Sequence, residues 1–316
     1  MTPPLVSIIT PSYNQAAYLE AAMRSVLEQS YPNIEYLVVD GGSSDDSPAI
    51  IRKYERRLAW WVSEADAGQA EAINKGFLRA KGEIVAWLNS DDLYYPGAVA
   101  QAVEALRVYP DAGLVFSDVD SIDAQGELIN SMHFADWGLP GLAAFKIIAQ
   151  PGVFMRRAVL EQAGYLDLGY HYLLDHHLWL RMGLHAPVRY VRGARWAAAR
   201  FHSAAKNVAQ AAAFGQEAYR IAAWLDTAPE FQALLQPNRR RMWAGAHRLN
   251  AFYLLDGGRP GAALDAYARA FWQHPPSVLP DWRRILFALL SPFGLRRMRA
   301  AYLRRRAEQL RAARSK

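Results

Sequence analysis

Glu83-Ile-Val-Ala-Trp-Leu-Asn-Ser-Asp-Asp92 opens as an apolar run with the length of a buried strand and ends on two adjacent carboxylates. The same grammar recurs on both sides of it. Upstream, Val6-Ser-Ile-Ile-Thr10, Ile34-Glu-Tyr-Leu-Val-Val39 and Trp60-Trp-Val-Ser63 read as strands, and Gly113-Leu-Val-Phe-Ser117 reads as a fifth downstream. Between them the apolar period changes to that of a helix, with Leu19, Ala22, Met23, Val26 and Leu27 on one face, then Ile73, Phe77 and Ala80, then Val99, Val103 and Leu106. Strands that alternate with helices imply right-handed crossovers and an α/β domain with a mostly parallel sheet covered on both faces. From about Ala204 the pattern becomes helical and Ala-rich, and Asp256-Gly-Gly-Arg-Pro260 is a turn between two helices.

Ligands of an open parallel sheet sit at the carboxyl ends of its strands. Here Asp40 closes the second strand, Glu64 and Asp66 follow the third, and Asn89-Ser-Asp-Asp92 follows the fourth. Asp45, Asp46 and Ser47 are accounted for as a helix start. Asp91 and Asp92 are different, because adjacent carboxylates after an apolar strand repel each other unless a cation lies beside them. A divalent ion on such a pair suits a diphosphate ligand, whose departure it assists as a Lewis acid. Neither the P-loop pattern nor Gly-x-Gly-x-x-Gly follows the first strand, which carries Thr10-Pro-Ser-Tyr-Asn14 instead. With no glycine cradle, phosphate falls to the metal.

The 316 residues, 52% hydrophobic and 21% charged, suffice for one sizeable core and an accessory region and exclude a disordered chain. The absence of cysteine excludes disulfides and thiolate zinc sites. The net charge of +6 is uneven: residues 276–316 carry +9, and the remainder carries −3. No basic leader precedes an apolar stretch, and the best apolar run, Ile285 to Leu295, is interrupted by Pro292 and Gly294. The expected location is cytoplasmic.

Thr10-Pro-Ser-Tyr-Asn14, Val39-Asp-Gly-Gly-Ser-Ser-Asp45, Ser63-Glu-Ala-Asp-Ala-Gly-Gln69, Ala72-Ile-Asn-Lys-Gly76 and Trp87-Leu-Asn-Ser-Asp-Asp92 together resemble the ordered signature of family-2 glycosyltransferases, in particular bacterial members that build surface polysaccharides. The resemblance covers about residues 4–205. It implies a GT-A fold over 1–205, with a nucleotide-binding half (1–118) and an acceptor half (119–205), followed by a helical C-terminal extension (206–316). It further implies an inverting enzyme that uses Mn2+ or Mg2+ to move a sugar from a nucleotide-diphosphate donor, expected to be a UDP-sugar, to a saccharide or lipid-linked acceptor. Carried over by position, Pro11, Tyr13 and Asp40 would hold the base, with Asp40 accepting the ring N–H of uracil. Asp66 would lie by base and ribose, Asp91 would face ribose or metal, and Asp92 would ligate the metal. Asn89 stands in the first place of the usual Asp-x-Asp motif, leaving Asp91 and Asp92 as the working pair.

In the acceptor half, Tyr172-Leu-Leu-Asp-His-His-Leu-Trp-Leu-Arg181 matches the family's acidic motif and makes Asp175 the expected base. Its place near a helix start with Leu173 and Leu174 beside it favours partial desolvation, which would raise its pKa toward that of a useful base. A zinc cluster of His171, Asp175, His176, His177 and His185 is the weaker reading, since adjacent helix residues point about 100° apart. His176 and His177 are expected to be partly exposed or to touch acceptor. Gln150 is expected to contact sugar, His202 to be a third metal ligand and Lys206 to clamp phosphate. Trp282, Phe287 and arginines 296, 297, 299 and 304–306 form a basic amphipathic tail suited to an anionic membrane surface, the inner face of the plasma membrane, rather than to nucleic acid. The rival readings are a sugar nucleotidyltransferase and a non-catalytic nucleotide-binding scaffold. The first lacks the Gly-rich basic loop, and the second does not explain Asp40, Asp91, Asp92 and Asp175 together.

Overall fold

The computed structural model describes residues 3–201 and 211–291. The chain divides into two compact units, one of residues 1–122, 130–139 and 148–200, the other of residues 123–129, 140–147 and 201–316. The first closes at Arg200. The two short segments assigned to the second unit have no counterpart in the sequence reading.

In chain order the first 200 residues form β1 (Val6–Ser12), α1 (Ala16–Leu27), β2 (Ile34–Asp40), α2 (Ser47–Tyr54), β3 (Trp60–Ser63), α3 (Gln69–Arg79), β4 (Ile84–Trp87), β5 (Leu93–Tyr94), α4 (Ala98–Val108), β6 (Leu114–Ile122), β7 (Leu128–Met132), α5 (Gly138–Ala143), β8 (Val153–Arg156), α6 (Arg157–Ala163), α7 (Leu174–His185) and β9 (Val188–Arg200). The sheet runs β3-β2-β1-β4-β8-β6-β9-β5, with β7 on β6. Strands β3, β2, β1 and β4 are parallel, as the alternating pattern requires. Beyond β4 the sheet becomes mixed: β8 lies antiparallel between β4 and β6, β9 is parallel to β6, and β5 is antiparallel to β9.

The apolar periods become packing directly. Leu19, Ala22, Met23 and Val26 of α1 are buried against Val6, Ile8 and Val38 of the sheet. Helix α3 approaches β1 so closely that a Cβ on Gly76 would stand 2.5 Å from Cγ2 of Ile9, which explains the glycine in Ala72-Ile-Asn-Lys-Gly76. Helix α7 is buried on most of its circumference, and its Trp179 stacks on Trp87 of β4 with ring centroids 5.2 Å apart.

The second unit is helical: α8 (Ala211–Thr227), α9 (Gln232–Leu235), α10 (Arg239–Asp256), α11 (Pro260–Gln273), α12 (Pro275–Val278) and α13 (Trp282–Leu290). The expected turn joins α10 to α11, with Pro260 at the start of α11 and Gly258 at φ 75°. Ala251, Leu255, Ala263, Tyr267, Ala270, Val278 and Ala288 form its core, so α13 is part of the packed body. No described helix is long and apolar enough to cross a membrane.

Candidate active site

Sheet register builds one rim. Ser12 of β1 pairs with Asp40 of β2, and Asp40 pairs with Ser63 of β3, so three strands end level. The next strand of the parallel set, β4, delivers Asn89–Asp92 to the same edge, with Leu88 donating its N–H to Ile9 at 2.9 Å.

Two loops at this rim brace each other. Asn14, held at φ 51°, donates its N–H to Ser43 Oγ at 2.8 Å and accepts from the Ser44 N–H at 2.9 Å. Asp45 accepts the Ala16 N–H at the start of α1 and the Ser47 N–H at the start of α2, both at 2.9 Å. One carboxylate thereby serves two helix starts, where backbone N–H groups would otherwise lack partners. Tyr13 belongs to this braced pair of loops and is 62% exposed, whereas Pro11 is buried. A ring so exposed is available for stacking.

Asp40 closes β2 at this rim. Its side chain is fully buried and accepts three bonds, from the Ser43 N–H at 2.9 Å, Ser43 Oγ at 2.5 Å and Ser63 Oγ at 2.6 Å. These bonds make it hold the loop that carries Ser43 and, through Ser43, Asn14. Asp66 is nearer the surface. It accepts the Gly68 N–H at 2.8 Å, and its Oδ2 lies 2.8 Å from where a Cβ on Gly41 would be. A side chain at 41 would therefore displace Asp66, and this accounts for the first glycine of Asp-Gly-Gly.

Asn89 is the hub of the loop after β4. Its amide nitrogen donates to Asp92 Oδ2 at 3.1 Å and Gln150 Oε1 at 3.2 Å, and its oxygen accepts from Gln69 Nε2 at 2.7 Å. Asn89 thus cross-links the loop, a role that needs a donor as well as an acceptor and that aspartate could not fill. Gln150, expected to contact sugar, is buried, and its own amide nitrogen donates to the Trp87 carbonyl at 2.7 Å. Its oxygen thereby supports Asn89 while its nitrogen ties it to β4.

Asp92 is 5% exposed. It accepts the Arg200 N–H at 2.9 Å on one oxygen and the Asn89 amide on the other, leaving lone-pair capacity on both. Burial first, then the neighbouring Asp91 charge, push its carboxyl well above the ordinary carboxylate range. Asp91 is half-buried. Two adjacent hard oxygen donors, one of them costly to ionise alone, fit a divalent ion that completes its shell with diphosphate oxygens and water. Among the described residues no group of three His, Asp or Glu side chains converges, so the proposed zinc cluster does not form. His202 and Lys206 lie outside the described residues.

The spatial partner that the sequence did not reveal is Arg200, at the end of β9. Besides its N–H bond to Asp92, its Nε donates to the Asp91 carbonyl at 2.9 Å, and its guanidinium lies over the Tyr18 ring at 4.9 Å. One residue clasps both members of the carboxylate pair from more than a hundred positions away. Asp118 and Asp120 of β6 were also missed. Both are buried, Asp118 accepting from Tyr190 OH (2.8 Å) and the Phe134 N–H (3.0 Å), Asp120 from Tyr95 OH (2.8 Å) and Ser131 Oγ (2.6 Å).

Asp175 lies in the first turn of α7, half-buried, with the His176 N–H donating to it at 2.7 Å. Four residues later on the same face, Trp179 stacks on Trp87, two positions before Asn89. His176 and His177 are not the partly exposed residues expected. They are 0% and 5% exposed, because α7 is enclosed on most sides, and His177 packs on Tyr170 at 4.2 Å.

Residues 7–157 match the profile of glycosyl transferase family 2. That stretch of the chain belongs to the family. An uncharacterized glycosyltransferase of Rickettsia typhi is 42% identical over 132 residues, spanning 42% of this chain and 40% of that protein. The O-antigen biosynthesis protein RfbC of Myxococcus xanthus is 31% identical over 184 residues, 57% of this chain and 14% of RfbC. The chain therefore spans well under half the length of these relatives. Among solved structures, S. aureus TarS 1–349 in complex with UDP-GlcNAc superposes with a TM-score of 0.58 at 17% identity, covering 89% of this chain and 92% of that one. The mannosyltransferase PcManGT from Pyrobaculum calidifontis, in complex with GDP-Man and Mn2+, gives 0.58 at 22% identity, covering 97% and 87%. These likenesses establish the glycosyltransferase fold, and the family-2 domain contains every rim element described above except β9 with its Arg200.

Proposed function

We propose that this family-2 glycosyltransferase moves a sugar from a nucleotide-diphosphate donor, a UDP-sugar, to a saccharide or lipid-linked acceptor in a single inverting displacement, in the building of surface polysaccharide. The observation that carries the reading is the buried Asp92 beside Asp91, clasped by Arg200 at the rim where Tyr13, Asp66 and Asn89 also stand. Tyr13 offers the base a stacking face, and Asp66 a carboxylate within reach of base and ribose. Asp91 and Asp92 would hold Mn2+ or Mg2+, which when bound supplies charge for the departing diphosphate. Asp175 would take the acceptor's proton. A nucleotidyltransferase or a scaffold would need no such base. The test is a panel of nucleotide sugars incubated with protein and Mn2+. Hydrolysis is expected for a UDP-sugar and to stop with EDTA; turnover of GDP- or ADP-sugars alone, or none with any donor, would reject the assignment.

The C-terminal region supports a membrane-facing reading. Trp282, Leu286, Leu289 and Leu290 recur on one face of α13 and are 56%, 45%, 52% and 37% exposed, while Ala288 on the other face is buried. The arginines from 296 onward lie outside the described residues. Because α13 contributes to the core, the informative truncation begins after Ser291 rather than at 278. Removing residues 292–316 should release the protein from acidic liposomes at low salt, by roughly 1 kcal/mol per lost cation. Cosedimentation unchanged by the truncation, or absent in the full chain, would count against the tail.

A further inference from the structure

The second unit contains a cavity of about 670 Å³ lined by Lys146, Arg239, Arg240, Arg241, Arg248 and His274, with Asn238 and a proline-rich wall of Pro237, Pro275 and Pro276. Among the described residues no acidic one lines it. Such a concentration of one charge sign is unfavourable unless an anion answers it.

The local carboxylates do not neutralise it. Arg239 is engaged by Asp226 at 2.5 and 2.7 Å. Arg248 meets Asp281 only at 3.4 Å. Arg240 donates to the neutral Trp272 carbonyl at 2.7 Å, and neither it nor Arg241 meets a carboxylate among the described residues. Half-buried Lys146 registers the excess: burial first, then the positive charges of Arg248 and Arg241, lower its pKa despite the opposing pull of Asp281. The wall is also closely packed. A Cβ on Gly245 of α10 would stand 2.2 Å from the Ala144 carbonyl oxygen, so α10 and the segment carrying Lys146 are packed backbone to backbone.

We propose that this cavity is a binding site for a diphosphate-bearing ligand, held by Arg241, Arg248 and Lys146, with the N-terminus of the 18-residue α10 adding its unpaired N–H groups. Guanidinium forks match phosphate oxygens, and two linked phosphates supply the charge that one carboxylate or one sulfate-sized anion would leave unmet. Its volume exceeds what a diphosphate alone fills, and Pro237, Pro275 and Pro276 add apolar lining that an attached group can meet. That group is either a polyprenyl chain or a soluble moiety.

The test uses the intact protein with EDTA present, so that the carboxylate pair at the β4 rim has no metal and repels diphosphate. Calorimetric titration with inorganic pyrophosphate at about 0.15 M ionic strength should give saturable binding that weakens with salt. Arg241→Gln should weaken it about tenfold, and Arg241→Gln with Lys146→Gln about a hundredfold, each at unchanged circular dichroism. Arg241→Lys, which keeps charge but loses the fork, should fall between. Geranyl diphosphate binding more tightly than pyrophosphate supports a lipid-linked ligand, and equal or weaker binding supports a soluble one. Absence of saturable binding, or binding indifferent to the substitutions in folded protein, overturns the proposal. UDP binding with Mn2+ should be unchanged in these variants, which separates failure here from failure of the proposed transferase reaction.

Discussion

Asp92→Asn is expected to remove the metal-stimulated part of UDP binding, a loss of about a hundredfold or more, while the protein stays folded. The substitution keeps the shape of the side chain and its bond from the Arg200 N–H. It sets a second amide against that of Asn89, at a cost of roughly 1 kcal/mol, and it removes the negative charge that a divalent ion requires. The same carboxyl fixes the direction of pH dependence. Its pKa is raised in the folded chain, so without metal its contribution to stability is greatest below the unfolded value and is lost as pH climbs through the folded one. A bound divalent ion needs the ionised form. Metal-stimulated UDP affinity should accordingly weaken as pH falls toward and below that raised value. Calorimetry with and without Mn2+ decides the matter. A folded Asp92→Asn protein whose UDP affinity still responds to metal as before would remove Asp92 from the site.

The parallel half of the fold was legible because each strand and helix there carries its own period. Val6–Thr10 and Ile34–Val39 are mostly apolar, broken only by Ser7, Thr10 and Glu35, as suits strands of a sheet covered on both faces. The mixed half was not. β9 runs for 13 residues through Arg189, Arg192 and Arg195 and carries a register irregularity opposite Asp118, so no two-residue alternation survives to announce it. Because β9 went unread, so did Arg200. Nothing local marks that residue, since its partners Tyr18, Asp91 and Asp92 are gathered only by the folded sheet.

The site's residue types were readable, but their division of labour was not. Asp40 and Asp92 both follow apolar strands, and each is buried with bonds from neighbours. Asp40 receives three donors, two of them from Ser43 in its own loop, and is satisfied. Asp92 receives two and sits beside another carboxylate. That difference depends on where Ser63 and Arg200 arrive in space. Gln150 illustrates the same limit: a glutamine next to a strand could face ligand or backbone, and only the position of the Trp87 carbonyl decides for backbone.

Asp175→Asn is expected to bind UDP-sugar as the unmodified protein does and to lose turnover by about 10²–10⁴-fold, the usual contribution of a positioned general base. A single inverting displacement requires an acceptor hydroxyl to attack the anomeric carbon from the face opposite the diphosphate. Its oxygen becomes a better nucleophile as its proton departs, and a carboxylate within hydrogen-bond reach receives that proton. Asp175 suits the task because helix α7 is anchored. Trp179 packs on Trp87, His177 packs on Tyr170, and the helix is buried on most sides, so the half-buried carboxylate in its first turn is carried by a well-packed element. Asparagine preserves that packing and can still accept the His176 N–H, but it cannot take a proton. The expected signature is therefore a fall in kcat with donor affinity and thermal stability little changed. A merely structural Asp175 would instead lower stability and donor affinity together. Near-normal transfer by the folded variant would dismiss Asp175 as base, and a product that keeps the donor's anomeric configuration would dismiss the single displacement, because one backside attack must invert the carbon it strikes.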